Sequence, residues 1–162
     1  MEEKLLEVKN LTIEYSTDDA MIHAVNDVSF SLSKGKTLGL VGETGAGKTT
    51  IAKSIMRILA PQAKKASGEI IFEGSDLFSL SEKEMQKVRG NKIAMIFQDP
   101  MTALNPIERV GSQIAETIKR HNEISAKEAQ ERACDMLEMV GIPMERYEEY
   151  PHEFSEIGRA HV

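Results

Sequence analysis

One eight-residue motif constrains the fold of this chain more than any other feature. Residues 42–49 read Gly-Glu-Thr-Gly-Ala-Gly-Lys-Thr and match the pattern G-x-x-x-x-G-K-[ST] at every position. A short apolar run over 37–41 precedes the motif, and apolar residues at helical spacing follow it. A glycine-rich turn between a buried strand and a helix can wrap backbone N–H groups around phosphate oxygens. The sequence therefore predicts a P-loop that binds a nucleoside triphosphate.

The polar groups of this motif have separate predicted roles. The helix that begins at Lys48 directs the positive end of its dipole at the phosphates, and the Lys48 ammonium reaches the β- and γ-phosphates. The Thr49 hydroxyl holds Mg²⁺. The alternative is a strand-to-helix turn that binds nothing and leaves Lys48 solvated. The predicted nucleotide-binding residues of the loop are Gly42, Glu43, Thr44, Gly45, Ala46, Gly47, Lys48 and Thr49.

Apolar patterning predicts strands throughout the first part of the chain. Residues 6–13 and 25–32 alternate between apolar and polar side chains around a turn at 16–19, which is typical of half-buried strands. Two short and nearly continuous apolar runs, 37–42 and 93–97, are typical of buried strands in a parallel sheet. A further strand is predicted over 69–72.

Helical patterns flank and follow these strands. Apolar residues at helical spacing predict a helix that follows the P-loop and ends before Pro61. The apolar face of this helix consists of Ile51, Ile55, Ile58 and Leu59. Two capping boxes, 81–84 and 125–128, mark helix starts. Beyond residue 100 the apolar stripes are wholly helical. These stripes are Val110, Ile114 and Ile118 in one helix and Ala129, Ala133, Met136, Leu137 and Val140 in the next, which Gly141 and Pro143 stop.

Composition excludes several classes of protein. The 162 residues suit one domain with a small appendage, and a net charge of −6 argues against a broad grip on nucleic acid. The single cysteine, Cys134, excludes a disulfide framework, and the histidines lack zinc spacing. No apolar run approaches the roughly 20 residues of a membrane span, and the first residues do not resemble a signal peptide. We therefore expect a cytosolic globular protein.

The P-loop alone leaves the class of nucleotide-binding protein open. A guanine-reading Asn-Lys-x-Asp motif is not formed, because Asn91 and Lys92 precede Ile93 and Ala94. Small-molecule kinases and transport or mechanical ATPases remain. A glutamine directly after the predicted strand 93–97, Gln98, can turn its amide toward a metal or water beside the phosphates, or can simply cap the strand end.

Two further segments carry a family resemblance. Residues 98–106 read Gln-Asp-Pro-Met-Thr-Ala-Leu-Asn-Pro, and residues 150–155 read Tyr-Pro-His-Glu-Phe-Ser. With the P-loop, they resemble the ATP-binding subunit of ABC transporters, in particular the dipeptide/oligopeptide/nickel importer branch, over about residues 5–155. The resemblance implies an α/β P-loop NTPase fold with an N-terminal antiparallel β segment, parallel core strands and an all-helical subdomain. The implied bounds are 1–98 for the ATP-binding core and 99–155 for the helical subdomain.

The resemblance also implies roles for residues outside the P-loop. Gln98 is expected to act with Lys48 in catalysis, reaching both Mg²⁺ and the γ-phosphate side as the Q-loop glutamine. Thr50 is expected near the α-phosphate. Tyr15 is expected to stack on adenine, the alternative being an edge-strand tyrosine that faces solvent. The helical subdomain is expected to contact a cytoplasmic helix of the membrane subunits, with Met101 and Leu104 as candidate docking residues.

The sequence departs from the family pattern after Ser155. The signature glycines, the Walker B strand, the catalytic glutamate and the switch histidine have no match, and the surroundings of His161 do not fit that histidine. We expect residues 156–162 not to belong to the natural protein, because a common sequencing adapter can encode them; the alternative is a divergent tail. The C-terminal part of the core is then missing.

The resemblance predicts the N-terminal part of an ABC importer ATPase that uses ATP and Mg²⁺. The expected partners are a second ABC ATPase subunit in a head-to-tail dimer, permease subunits and, indirectly, a solute-binding protein, with no nucleic acid. The expected location is cytoplasmic, on the inner face of the cell membrane through the permease. A soluble ABC ATPase of DNA repair or translation, or an ATP-binding module without catalysis, are the alternatives. This chain is expected to bind ATP but to hydrolyse it inefficiently.

Overall fold

The computed structural model describes residues 3–17, 20–99 and 103–154. The chain forms two compact units, with the division between Arg89 and Gly90. The domain bounds predicted from the sequence, 1–98 and 99–155, stay a prediction. Met101, Ser155 and the tail 156–162 lie outside the described residues.

The first unit is built on a four-stranded antiparallel sheet of spatial order β2-β1-β3-β4. Strand β1 therefore pairs on both sides. Its apolar residues on one face, with those of its neighbours, form the core of the unit, and β1 and β2 confirm the strands predicted over 6–13 and 25–32. The strands are β1 Lys4–Ser16, β2 Met21–Ser33, β3 Ala63–Phe72 and β4 Ser75–Asp76, and the buried residues include Val8, Leu11, Ile13, Val25 and Ile70.

Helix α1, Lys48–Met56, follows the P-loop as predicted but is shorter than predicted. It ends because Arg57 adopts a left-handed conformation with φ of 52°, and the N–H of Ile58 then donates to the Lys53 carbonyl at 3.0 Å. Ile58 and Leu59 therefore lie outside the helix, and the prediction that they extend its apolar face is wrong. The buried residues of α1 are Ile51, Ser54 and Met56.

The two predicted parallel strands are not strands in the described chain. Residues 37–42 and 93–97 lack strand structure, apart from a single bridge residue at Ile93. Val41 is 94% exposed and Ile96 92% exposed, so neither segment is buried as predicted. The physical reason is that a strand forms only beside a hydrogen-bonding partner, and the one sheet of the described residues holds only β1 to β4.

Helix α2, Glu82–Val88, begins with the predicted capping box. The Ser81 hydroxyl accepts from the Glu84 N–H at 3.3 Å, and the Glu84 carboxylate accepts from the Ser81 N–H at 2.8 Å. The Ser81 hydroxyl also donates to the Glu84 carboxylate at 2.6 Å, and this bond, with that from the Ser81 N–H, holds the pKa of Glu84 below its ordinary value. The helix is anchored by Met85, which is fully buried.

The second unit packs helices α3, Val110–His121, and α4, Ala126–Met139, with a 3-10 helix at Met144–Glu148. Ala133, Leu137 and Tyr147 form the buried centre, and Ile114 and Ile118 of the predicted α3 stripe pack against it. Two members of the predicted α4 stripe, Met136 and Val140, are instead 51% and 70% exposed, so their assignment to the core is wrong. They lie beyond the face that carries the buried centre.

The second capping box is only half formed. The Ser125 hydroxyl accepts from the Glu128 N–H at 3.1 Å and caps α4. The Glu128 carboxylate instead accepts from Arg132 at 2.8 Å, one turn along the helix.

None of the helices described above is long and apolar enough to cross a lipid bilayer; this holds for the described residues.

Candidate nucleotide-binding site

The P-loop is seated against strand β2 through Gly47. A Cβ built on Gly47 would lie 2.3 Å from the Ala24 carbonyl oxygen and 3.3 Å from Cγ2 of Val25. Gly47 also has φ of 82°, a conformation that side chains disfavour. Only glycine therefore allows this close approach of loop to strand.

A β-bulge creates the seat. Ile13 and Glu14 are consecutive in β1 but pair with Val25 and His23, so Ala24 is the extra residue of β2. A bulge bends its strand locally, and here its extra residue presents the carbonyl against which Gly47 packs. Sequence reasoning missed Ala24, because no residue pattern in β2 marks the bulge.

Lys48 lies folded across the loop. Its Nζ donates to the Gly42 carbonyl at 2.7 Å and to the Glu43 carbonyl at 2.6 Å. The ammonium thus links the helix end of the loop to its first two residues. An anionic phosphate entering the loop would meet this charge, since carbonyl oxygens satisfy it less well than a phosphate does.

The N-terminus of α1 is open for an anion. Gly47 is the N-cap and offers no side chain to the first N–H groups, and the first turn has no carboxylate. Unsatisfied N–H groups and the helix dipole favour negative charge there. Thr49, in this first turn, is exposed, and a hydroxyl oxygen is a ligand type that Mg²⁺ accepts beside phosphates. The residues present therefore fit a magnesium–phosphate group.

Tyr15 lies on the same side of the sheet as the loop. It alternates with buried Ile13 along β1, which places both side chains on one face, and it is half-buried. It pairs with Ile22 of β2 and Ala63 of β3, so it stands on a central strand rather than an edge strand. Ile22, opposite, is 53% exposed. Two residues of strand, about 7 Å, separate Ile22 from the Ala24 seat of the P-loop.

Thr50, Gln98 and Leu104 are predicted functional residues that lie outside loop 42–49. Thr50 is half-buried in the first turn of α1, and its carbonyl accepts from the Ser54 hydroxyl at 2.7 Å. Gln98 is exposed and belongs to the second unit, whereas the P-loop and Tyr15 belong to the first. Leu104 is half-buried and lines an apolar groove of about 390 Å³ with Ile114, Thr117, Ile118 and Met136.

The comparison with family models decides the classification. The sequence model of the family described as ABC transporter matches residues 25–160, which include the P-loop and the Gln98 segment. The chain belongs to the ABC transporter family. Its resemblance to that family in sequence is thereby confirmed.

Named relatives of this ABC chain are peptide transport proteins. It is 51% identical over 155 residues to the oligopeptide transport ATP-binding protein OppD of Bacillus subtilis strain 168, covering 94% of this chain and 43% of the relative. The dipeptide transport ATP-binding protein DppD of Lactococcus lactis subsp. cremoris is 46% identical, with 95% and 45% covered. The ABC chain thus spans somewhat less than half the length of these relatives.

A solved structure confirms the fold class. The dimeric ATP-binding cassette MJ0796, bound to ADP and Pi, superposes with a TM-score of 0.77 at 23% identity, covering 91% of this chain and 62% of that one. The α/β P-loop NTPase fold of the ABC cassette is therefore the fold of this chain, although the segments 37–42 and 93–97 lack strand structure here.

Proposed function

We propose that this chain is part of the ATP-binding subunit of an ABC importer for peptides. The observation that carries the proposal is the P-loop itself, seated by Gly47 on β2 and closed by Lys48. Family membership supports ATP as the nucleotide. The peptide specificity rests on the names of the relatives, which transport oligopeptides and dipeptides; nickel is the less supported solute.

The residues of the site suggest how nucleotide is held. The amides of the loop and of the first α1 turn surround the phosphates, and Lys48 exchanges its two carbonyl partners for phosphate oxygens. Thr49 would hold Mg²⁺, which when bound would supply positive charge beside the phosphates. On the family resemblance, Gln98 is proposed as a further ligand of this ion. Thr50 lies next to the α-phosphate, and Tyr15 stacks on adenine.

The transport role requires partners that this chain does not include. We propose a second ABC ATPase subunit, related head to tail, and permease subunits that hold the protein at the inner face of the membrane, with a solute-binding protein delivering peptide. Co-purification from membranes tests this. Recovery with permease subunits supports the importer, whereas recovery from the soluble fraction with DNA-repair or translation proteins contradicts it.

Hydrolysis by the 162-residue chain is proposed to be very slow. Phosphoryl transfer needs an oriented water and stabilised developing charge as well as bound phosphate. Lys48, Thr49 and Gln98 serve the phosphate and metal, but no residue of the sequence matches the water-orienting glutamate. A phosphate-release assay checks this. We expect no turnover above that of Lys48→Ala, and steady turnover of about 1 per second, lost in that variant, would contradict it.

Replacement of Lys48 by alanine is expected to weaken Mg·ATP binding about tenfold or more. A charge-assisted contact to phosphate in a half-buried site contributes roughly 1.5–3 kcal/mol. Isothermal titration calorimetry measures the effect. The control is Lys53→Ala, which removes the same charge five residues further along α1 and should leave the Kd unchanged. Equal affinities of wild type and Lys48→Ala would contradict the proposed role.

Replacement of Tyr15 tests the proposed adenine contact. Tyr15→Ala should weaken ATP binding by roughly 1–3 kcal/mol, by analogy with base–aromatic stacking, and Tyr15→Phe should change it little because the ring remains. The effect should be as large for ADP as for ATP, since the base is common to both. Unchanged Kd values for Tyr15→Ala would show that the ring faces solvent in the complex.

A further inference from the structure

Arg89 connects the far end of helix α1 to helix α2. Its Nε donates to the Met56 carbonyl at 2.7 Å, and its Nη2 donates to the Arg57 carbonyl at 3.1 Å. These are the last carbonyls of α1 and its C-cap, which have no partner within a helix. A guanidinium placed there also interacts favourably with the negative end of the helix dipole.

Glu82 fixes the Arg89 guanidinium in this position. The two side chains form an ion pair in which Nη1 and Nη2 face the two carboxylate oxygens, while the Arg89 side chain is only 22% exposed. The hydrogen bond from Arg89 lowers the pKa of Glu82, so the carboxylate is ionised at neutral pH. Glu82 and Arg89 stand at the two ends of α2, which buried Met85 anchors.

A second arginine ties the same end of α1 to the chain before α2. Arg57, the left-handed C-cap, donates from Nη1 to the Leu77 carbonyl at 2.9 Å and to the Leu80 carbonyl at 2.6 Å. The C-terminal end of α1 is thus held by two guanidinium groups. Its N-terminal end carries the P-loop amides and Lys48.

We infer that Arg89 is a positioning residue for the phosphate site, acting through helix α1. This inference rests on the proposed binding of ATP. The nine residues of α1 put its ends about 13 Å apart, so a tilt of about 5° at the Arg89 end moves the loop end by about 1 Å. Displacements of that size are enough to weaken binding that depends on aligned N–H groups.

Arg89 lies where the first unit ends along the chain. Arg89 is the last residue of the first unit, and Gly90, with φ of 79°, begins the second. The guanidinium that holds the phosphate-binding helix is therefore covalently next to the junction of the two units.

The test compares nucleotide affinities of Arg89→Gln and Arg89→Lys with wild type by calorimetry at 10 °C, where circular dichroism verifies that each variant is folded. We expect the Kd for Mg·ADP to rise about three- to tenfold in Arg89→Gln. Arg89→Lys should recover part of the loss, because an ammonium can still donate to the Met56 carbonyl. AMP affinity should change less than ADP affinity, because the effect falls on the amides that hold the β-phosphate.

A control variant, Arg120→Ala, and a second test variant, Glu82→Gln, separate the possible outcomes. Arg120→Ala removes an exposed arginine from an ion pair with Glu116 and should leave the ADP affinity unchanged. Glu82→Gln frees the guanidinium and should weaken ADP binding in the same direction as Arg89→Gln. Lower stability with an unchanged ADP Kd in Arg89→Gln would overturn the inference. If wild type binds no nucleotide, the proposed function itself fails.

Discussion

Replacing Gly47 by alanine is expected to destabilise the first unit by about 2–4 kcal/mol. The new Cβ would lie 2.3 Å from the Ala24 carbonyl oxygen, and a backbone atom in a paired strand cannot move away cheaply. The positive φ of 82° adds backbone strain. Urea unfolding monitored by circular dichroism measures the loss. Because the loop must leave its seat, Mg·ATP binding should weaken as well.

Gly45→Ala is the matched control for Gly47→Ala. Gly45 belongs to the same loop and has a similar φ of 86°, but a Cβ there meets nothing within 4 Å. It should therefore cost only the strain of the left-handed conformation, about 1 kcal/mol. Equal losses for the two variants would show that close packing on Ala24 contributes nothing.

Replacing Gly111 by alanine is expected to destabilise the second unit by about 2–3 kcal/mol. Gly111 lies in the first turn of α3, where a Cβ would meet Cγ and Cδ2 of buried Tyr147 at 2.2 and 2.1 Å. The ring of Tyr147 cannot move away from α3 without disturbing its packing against Ala133 and Leu137. This cost exceeds the gain of about 1 kcal/mol that alanine has over glycine in a helix.

Ser112→Ala is the control for Gly111→Ala, since Ser112 is the next residue of α3 and is exposed. Its unfolding free energy should stay within about 0.5 kcal/mol of wild type. A Gly111→Ala protein as stable as wild type in urea would contradict the packing of Tyr147 on α3.

The local structure was largely predictable from sequence because it depends on neighbouring residues. The capping box of Ser81 and Glu84 formed as expected, and so did the helix that begins at Lys48, directly after the glycine-rich loop. The prediction of strands at 37–42 and 93–97 was wrong because strand formation depends on pairing partners, which an apolar run does not specify.

Long-range contacts set the parts of the site that could not be predicted. The seat of Gly47 on Ala24 depends on a bulge whose residues look like ordinary strand residues. The attachment of α1 to Arg89 joins residues more than thirty positions apart, at 2.7 Å from Nε to the Met56 carbonyl. No spacing in the sequence indicates either contact. The helix end was missed for a similar reason, because arginine is not the residue expected in the left-handed conformation of Arg57.

The proposed function depends on loop 42–49 holding the phosphates of ATP. Its most direct test is a titration of the ¹⁵N-labelled chain with Mg·ATP, followed through the backbone amide resonances. We expect the largest shifts in the amides of 42–50, saturating with one Kd, and small shifts in α4. The same titration of Lys48→Ala should need higher ATP concentrations. Amides of 42–50 that do not move, or shifts confined to other segments, would contradict the claim.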